Sequence, residues 1–456
     1  MTEQDVPGVC PHCGEVHPPS GARPATAVTV PNVPAIRPPR GAGLPEPALH
    51  RIPEGERAAL RPQTLAVRGG QYRSAFQETS EPLYLTQGYV YDHAADARDA
   101  FLETYERYTY TRYTNPTVTT FEERLALMDG AEDCYATATG MAAVFAAVAC
   151  VVGSGSRIVA ARELFGSTLS IFDNQLPRFG VRTDYVRGTD LNAWADALRT
   201  PADVVFLESP TNPMLDVLDI PAIAELAHAA GAIVMVDNVF ATPILQRPIP
   251  MGADVVIYSA TKHIDGQGRV LGGAVLGTRE FVRGPLQAFI RATGPNLAPF
   301  SAWVLLKGLE TLGVRVLAQQ AAALDLAGWL EAQPGVGNVR FPGLASHPQA
   351  DVAGRLLKGG GTMIALTFDG AGLDDEAATE RTFAALDALR LIDISNNLGD
   401  AKSLVTHPAT TTHFKVAPAL RREMGILPTT VRLSVGLEDV EDLREDLDRA
   451  LVAFRG

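Results

Sequence analysis

The sequence predicts an α/β protein: a large domain built on a mostly parallel sheet, followed by a smaller α+β domain. Three observations carry that reading. Short apolar runs recur at 157–161, 204–207, 233–236 and 255–258, with helical stretches between them. Strands alternating with helices form parallel sheets covered on both faces, and so appear as continuous apolar runs. From residue 303 a long helical region reaches 330 and leads into a second set of strands and helices ending at Phe454.

Taken in order, residues 1–62 are unlike the rest. They hold 13 of the chain's 32 prolines and show no apolar periodicity. Such a segment buries too little surface to offset its ordering entropy, so it is expected to be a disordered extension. Within it Cys10, Cys13 and His17 are metal-ligand types, but a structural zinc site needs four ligands, and no metal is expected. Folded composition begins near residue 63. Asn115 and Pro116 supply a helix cap and a first-turn proline, and the amphipathic stretch 121–128 is stopped by Gly130. The segment 134–138 reads as a strand that runs through Gly140 into a helix. Residues 220–230 read as a helix stopped by Gly231.

Composition excludes several classes of function. With 39 Lys plus Arg against 52 Asp plus Glu, the net charge is -13, which argues against a nucleic-acid or anionic-membrane partner. The longest apolar run, 140–153, is short of the ~20 residues that cross a bilayer. The chain opens without a basic and apolar leader, so no secretory signal is expected. Four cysteines are too few for a disulfide framework, and a cytoplasmic setting is expected.

In a parallel α/β sheet, ligands sit beyond the carboxyl ends of the strands. Three such ends carry residues of catalytic type. The run 204–207 leaves into a proline-bracketed loop that holds Asn212, 233–236 ends on Asp237, and 255–258 is followed by Ser259, Thr261 and Lys262. A lysine that forms an imine, an acid that keeps a pyridinium protonated and hydroxyls for a phosphate are what pyridoxal 5'-phosphate (PLP) asks of a protein. Singly, each residue has a plainer reading as a cap, a turn or a surface charge. The turn at Thr139, Gly140 and Met141 adds a helix start that admits close backbone approach, which suits a phosphate.

These blocks resemble one family. YTRYTNPT (110–117), TGMAA (139–143), ESPTNP (208–213), VDNVFATP (236–243) and SATK (259–262) are similar to the signature blocks of the Cys/Met-metabolism PLP enzymes, and the likeness runs from about 63 to 456. The resemblance implies PLP fold type I and the PLP cofactor. It implies an N-terminal arm over 63–115 that contributes to a neighbouring active site, a PLP-binding domain over 116–305 and a C-terminal α+β domain over 306–456. Lys262 is then the imine-forming lysine and proton shuttle, Asp237 pairs with the ring nitrogen, and Asn212 contacts the ring's 3-oxygen. Gly140, Met141, Ser259 and Thr261 hold the phosphate. Tyr110 and Arg112 reach the phosphate of a neighbouring subunit, which implies a homotetramer built from dimers. Arg432, in VRLSVGLE (431–438), clamps the substrate α-carboxylate.

One departure is informative. The family places a tyrosine over the ring, where LFGST (164–168) here has Phe165. Phenylalanine stacks but transfers no proton, so a leaving group that needs little acid help, a carboxylate rather than a thiolate, is favoured. LFGST, GQGRVLGG (266–273), TGP (293–295), WVLLKGLE (303–310) and NLGDAKSL (397–404) resemble the branch that acts on O-succinylhomoserine. That branch replaces succinate by sulfide to give homocysteine; the acetyl ester, cystathionine formation and γ-elimination are the alternatives on the same fold. A non-catalytic relative has no need of Lys262, Asp237 and Arg432 together. The resemblance adds Asn397 as a substrate contact, and Arg269 is assigned here to a second substrate carboxylate.

Overall fold

The computed structural model describes residues 52, 56, 60–74, 78–102, 104 and 107–456. The disorder expected of 1–62 and the Cys10, Cys13 and His17 cluster therefore fall outside the described residues, apart from 52, 56 and 60–62.

Seven strands make the large sheet: β1 (Asp133–Thr137), β2 (Arg157–Ala161), β3 (Arg182–Val186), β4 (Val204–Glu208), β5 (Ile233–Asp237), β6 (Val255–Tyr258) and β7 (Gly273–Gly277). Their order is β1-β7-β6-β5-β4-β2-β3. All neighbours are parallel except β7, which runs antiparallel to both β1 and β6. β1, β2 and β4 to β7 are buried along their whole length or nearly so, as a sheet covered on both faces requires. Each fully buried Val, Ile or Leu contributes roughly 1.5–3 kcal/mol. β3, at the edge, is polar and mostly half-buried, and so escapes an apolar-run search.

The helix starts follow the sequence. Helix Pro116–Asp129 is capped by Asn115, whose Oδ1 accepts from Thr117 N, and ends at Gly130 in the left-handed region. Helix Gly140–Ala149 is capped by Thr139, whose Oγ1 accepts from Ala142 N. Helix Ile220–Ala229 is capped by Asp219.

The second sheet holds β8 (Val336–Arg340), β9 (Met363–Phe368), β10 (Asp393–Ile394), β11 (Leu404–Thr406) and β12 (Thr430–Ser434), in the order β10-β11-β12-β9-β8. Helix Pro299–Glu331 joins the two cores. Its first half, with Leu305, Leu309 and Leu312, packs into the large core, and Leu326 and Leu330 pack into the small one. The boundary expected between 305 and 306 therefore falls inside one continuous helix, because both cores use that helix as a wall.

The N-terminal arm is pinned by charge. Glu81 pairs with the fully buried Arg124 and with Lys307, and its backbone carbonyl accepts from Trp303 Nε1 at 3.0 Å. Burial pushes the Glu81 carboxyl up, but the Arg124 charge and the two side-chain bonds outweigh it and hold it below the usual range. Removing one partner of such a buried pair leaves an uncompensated charge.

Candidate active site

The carboxyl ends of β4, β5 and β6 lie side by side, because the strands are parallel and in register: Glu208 is opposite Asp237, and Asp237 is opposite Ile257. This brings Asp237, Glu208 and the turn from Ser259 to Lys262 to one edge of the sheet. Asp237 Oδ1 accepts from Val239 N at 3.1 Å, and burial raises its carboxyl to about 7. A cation beside it, such as a pyridinium, favours the ionised form.

Glu208 is the residue missed by the sequence reading, which took only Asn212 from its block. Its Oε2 accepts from Phe165 N at 2.9 Å, which fixes the backbone of the aromatic residue expected over the ring. Burial, then the neighbouring Asp237, push Glu208 well above the carboxylate range, against the pull of Phe165 N–H and Arg432. Two carboxyls this close do not both ionise, and Glu208 is the one driven further towards the neutral form.

Lys262 Nζ donates to Asn397 Oδ1 at 2.5 Å. Burial, then the charge on Arg432, lower its amine to about 8. At pH 7 about one molecule in ten then carries a free amine, against roughly one in several thousand for an ordinary lysine. Arg432, on β12, is buried. Its Nη1 donates to Asn212 Oδ1 at 2.8 Å and its Nη2 to Asn396 O at 3.1 Å. Burial lowers the guanidinium to about 10, opposed by Glu208, so it stays charged at neutral pH. These neutral oxygens do not cancel that charge, so a carboxylate arriving here relieves a buried cation.

The helix start at Gly140 forms a close-packed turn against Ser259. A Cβ at Gly140 falls 2.6 Å from the Ser259 Cβ, so only glycine lets the helix start approach the Ser259 turn. Helix Gly140–Ala149 opens here, and its cap on Thr139 takes up Ala142 N, leaving the N–H groups of Gly140 and Met141 at the helix start. Thr261 Oγ1 donates to Gly272 O at 3.2 Å and accepts from Gly272 N at 3.1 Å, which closes the turn. PLP fits these residues: a half-buried acid for the ring nitrogen, a lysine of lowered basicity and a glycine-shaped cradle.

Beside this floor opens a cavity of about 930 Å³, walled by Met141, Phe165, Asn396, Thr411 and His413 among others. Gly166 matters there, because a Cβ on it falls 2.7 Å from Thr412 O, where the opposite rim comes close. Burial, then Arg432, push His413 down to about 4, so it is neutral.

Among the described residues, Tyr110 and Arg112 make no hydrogen bond to this group. Arg112 Nη1 bonds Arg291 O, its guanidinium lies 4.8 Å from the Tyr113 ring, and Tyr110 is 38% exposed. Arg269 is also engaged elsewhere. Asp265, fully buried, accepts from its backbone N at 2.6 Å, from its Nε at 2.9 Å and, through the carbonyl, from Nη2 at 2.9 Å. The side chain forms an ion pair inside its own turn, which neither the second-carboxylate role nor a plain surface charge anticipates.

The sequence model of the Cys/Met metabolism PLP-dependent enzymes matches residues 63–452. An O-succinylhomoserine sulfhydrylase of Mycobacterium tuberculosis is 54% identical over 401 residues, 88% of this chain and 98% of that protein. One of Pseudomonas aeruginosa is 48% identical over 391 residues, 86% and 95% of the two chains. The crystal structure of cystathionine gamma synthase from Xanthomonas oryzae pv. oryzae superposes with a TM-score of 0.81 at 32% identity, covering 87% of this chain and 99% of that one.

Proposed function

The chain belongs to the Cys/Met metabolism PLP-dependent enzyme family, and from that premise we propose that it converts O-succinylhomoserine and hydrogen sulfide to homocysteine and succinate. The observation that carries this is the 54% identity, along nearly the whole of both chains, to a protein named for that activity. Phe165 agrees with it: a succinate leaving group needs little proton assistance, and phenylalanine gives none.

When bound, PLP supplies an electrophilic carbonyl and an electron sink for charge developing at the substrate Cα. The chain supplies positioning and proton transfer. Arg432 grips the α-carboxylate and fixes the orientation of the Cα–H bond, with Asn212 and Asn397 holding the arginine and the lysine in place. Lys262, part of whose population is uncharged at neutral pH, takes the Cα proton, then a Cβ proton, and returns protons after sulfide has added at Cγ. Asp237 keeps the ring nitrogen protonated. Phe165 covers the ring face, and Gly140, Met141, Ser259 and Thr261 hold the phosphate. We assign the enzyme to the cytoplasm as a homotetramer of dimers, in which Tyr110 and Arg112 complete the neighbouring phosphate site. The exposure of Tyr110 and the hydrogen bond of Arg112 to Arg291 O support that assignment. Among the described residues, no helix is long and apolar enough to cross a membrane.

The test is product analysis with O-succinylhomoserine, with and without sulfide. Homocysteine formed only with sulfide, and faster than from O-acetylhomoserine, is the expected result. Chiefly 2-oxobutanoate and ammonia, with sulfide making no difference, would mean a γ-lyase.

A further inference from the structure

A succinyl ester carries a second carboxylate at the far end of its leaving group, and an acetyl ester carries none. Something in the site must answer that charge if the two are to be told apart. Three cations near the floor are already committed. Lys262 is held by Asn397, Arg432 is enclosed with Asn212 and Asn396, and Arg269 is locked at three atoms to Asp265.

The cavity wall holds one more. Lys415 follows Phe414 on the rim segment after β11, and both side chains are exposed at the mouth of the cavity that Phe165 and Met141 line. Its Nζ lies 5.6 Å from the centre of the Phe414 ring, and among the described residues no carboxylate pairs with it. The other basic side chains on this wall, His407 and His413, are pushed down by burial and carry no charge at neutral pH. Asp387, the one carboxylate among the described residues of the wall, is supplied by helix Asp375–Asp387 and repels an anion on its own side. Thr410, Thr411 and Thr412 line the same cavity and bring hydroxyl groups to it.

The geometry points to Lys415 as the residue that selects a dicarboxylic acyl group, its ammonium pairing at the cavity mouth with the distal carboxylate of the leaving group. This rests on the acyl-homoserine reading above. The distal carboxylate is remote from the bond that breaks at Cγ, so the pairing is equally strong in ground and transition states. It lowers KM for the succinyl ester and leaves kcat alone. The pair is open to water, so the effect is modest and weakens with salt.

The experiment compares wild type, Lys415→Gln and Lys415→Glu on O-succinylhomoserine and O-acetylhomoserine with sulfide, at low and high ionic strength. Lys415→Gln should lower kcat/KM for the succinyl ester by roughly two- to five-fold through KM. Lys415→Glu should lower it further, and the acetyl ester should be indifferent to both. The wild-type preference for the succinyl ester should narrow as salt rises. Equal losses on both esters, or an unchanged preference in both variants, would overturn Lys415 and leave the sulfhydrylase reading standing. A wild type that turns over neither ester would overturn both. An unchanged melting temperature and cofactor absorbance in the variants confirms that the comparison is between folded holoenzymes.

Discussion

At the carboxyl edge of the large sheet, Glu208, Asp237, Lys262 and Arg432 each have a specific hydrogen-bond partner at 3.1 Å or less. At the cavity rim, Phe414 is 60% exposed and Lys415 is paired with no carboxylate among the described residues. In the floor, low dielectric and fixed partners shift proton affinities far from their solution values, so each group there has a large effect if removed. At the rim, water screens each interaction and the same change of charge has a small effect. Chemistry is therefore fixed by the floor, and choice among esters is left to the rim.

The sharpest way to break this contrast is Lys262→Ala. Turnover should fall by roughly 10³-fold or more, since general acid–base transfer alone supplies on the order of 10²–10⁴. The visible absorbance of the bound cofactor should change with it. Near-normal turnover in steady-state assay would remove Lys262 from the mechanism.

Next comes Arg432→Lys, which keeps the charge but loses the fork that holds Asn212, Asn396 and a carboxylate together. We expect kcat/KM to fall about 100-fold, about 2.8 kcal/mol at 1.4 kcal/mol per decade. A loss no larger than that of a rim variant would contradict the distinction drawn between the two regions.

Glu208 sharpens the comparison within the floor. Glu208→Ala leaves Phe165 N–H without its acceptor and should destabilise the protein by about 1–3 kcal/mol. Glu208→Gln keeps an acceptor oxygen while removing the acid beside Asp237, so it should melt closer to wild type. Equal melting temperatures for the two variants would mean that the bond to Phe165 contributes nothing.

At the arm the expected effect is on stability and its pH dependence rather than on turnover. Glu81 titrates below its ordinary value of 4.5 in the folded protein. The stability it contributes is therefore fully present above that value, and is lost as pH falls through the folded one. Trp303 donates to Glu81 O, so its fluorescence should report the loosening in acid, and Glu81→Gln should remove that pH dependence. An acid transition that Glu81→Gln leaves unaltered would assign it to other carboxyls.

Much of the floor was legible in the sequence because its parts are local. A strand that ends in Asp237, or a turn from Ser259 to Lys262, places side chains within a few residues of an apolar run. In the large sheet the strands that escaped notice are β3, whose Arg182, Thr183 and Asp184 interrupt any apolar pattern, and β7, a short run bounded by Gly273 and Gly277. Arg269 shows the limit from the other side. Its block drew attention to a cation near the site, but whether that cation was free depended on Asp265, four residues earlier, folding back to hold it.

By itself the sequence determined the alternation of strands and helices, the catalytic residue types at three strand ends, and the absence of a tyrosine at Phe165. Those follow from local pattern and from side-chain chemistry. Only the tertiary structure decided that Glu208 stands beside Asp237 and holds Phe165, that Asn397 meets Lys262 across 135 positions, and that Arg432 is enclosed with Asn212 across 220. The physical reason is that charge state and pairing depend on what chain-distant elements bring into contact, and on how much water they exclude when they meet.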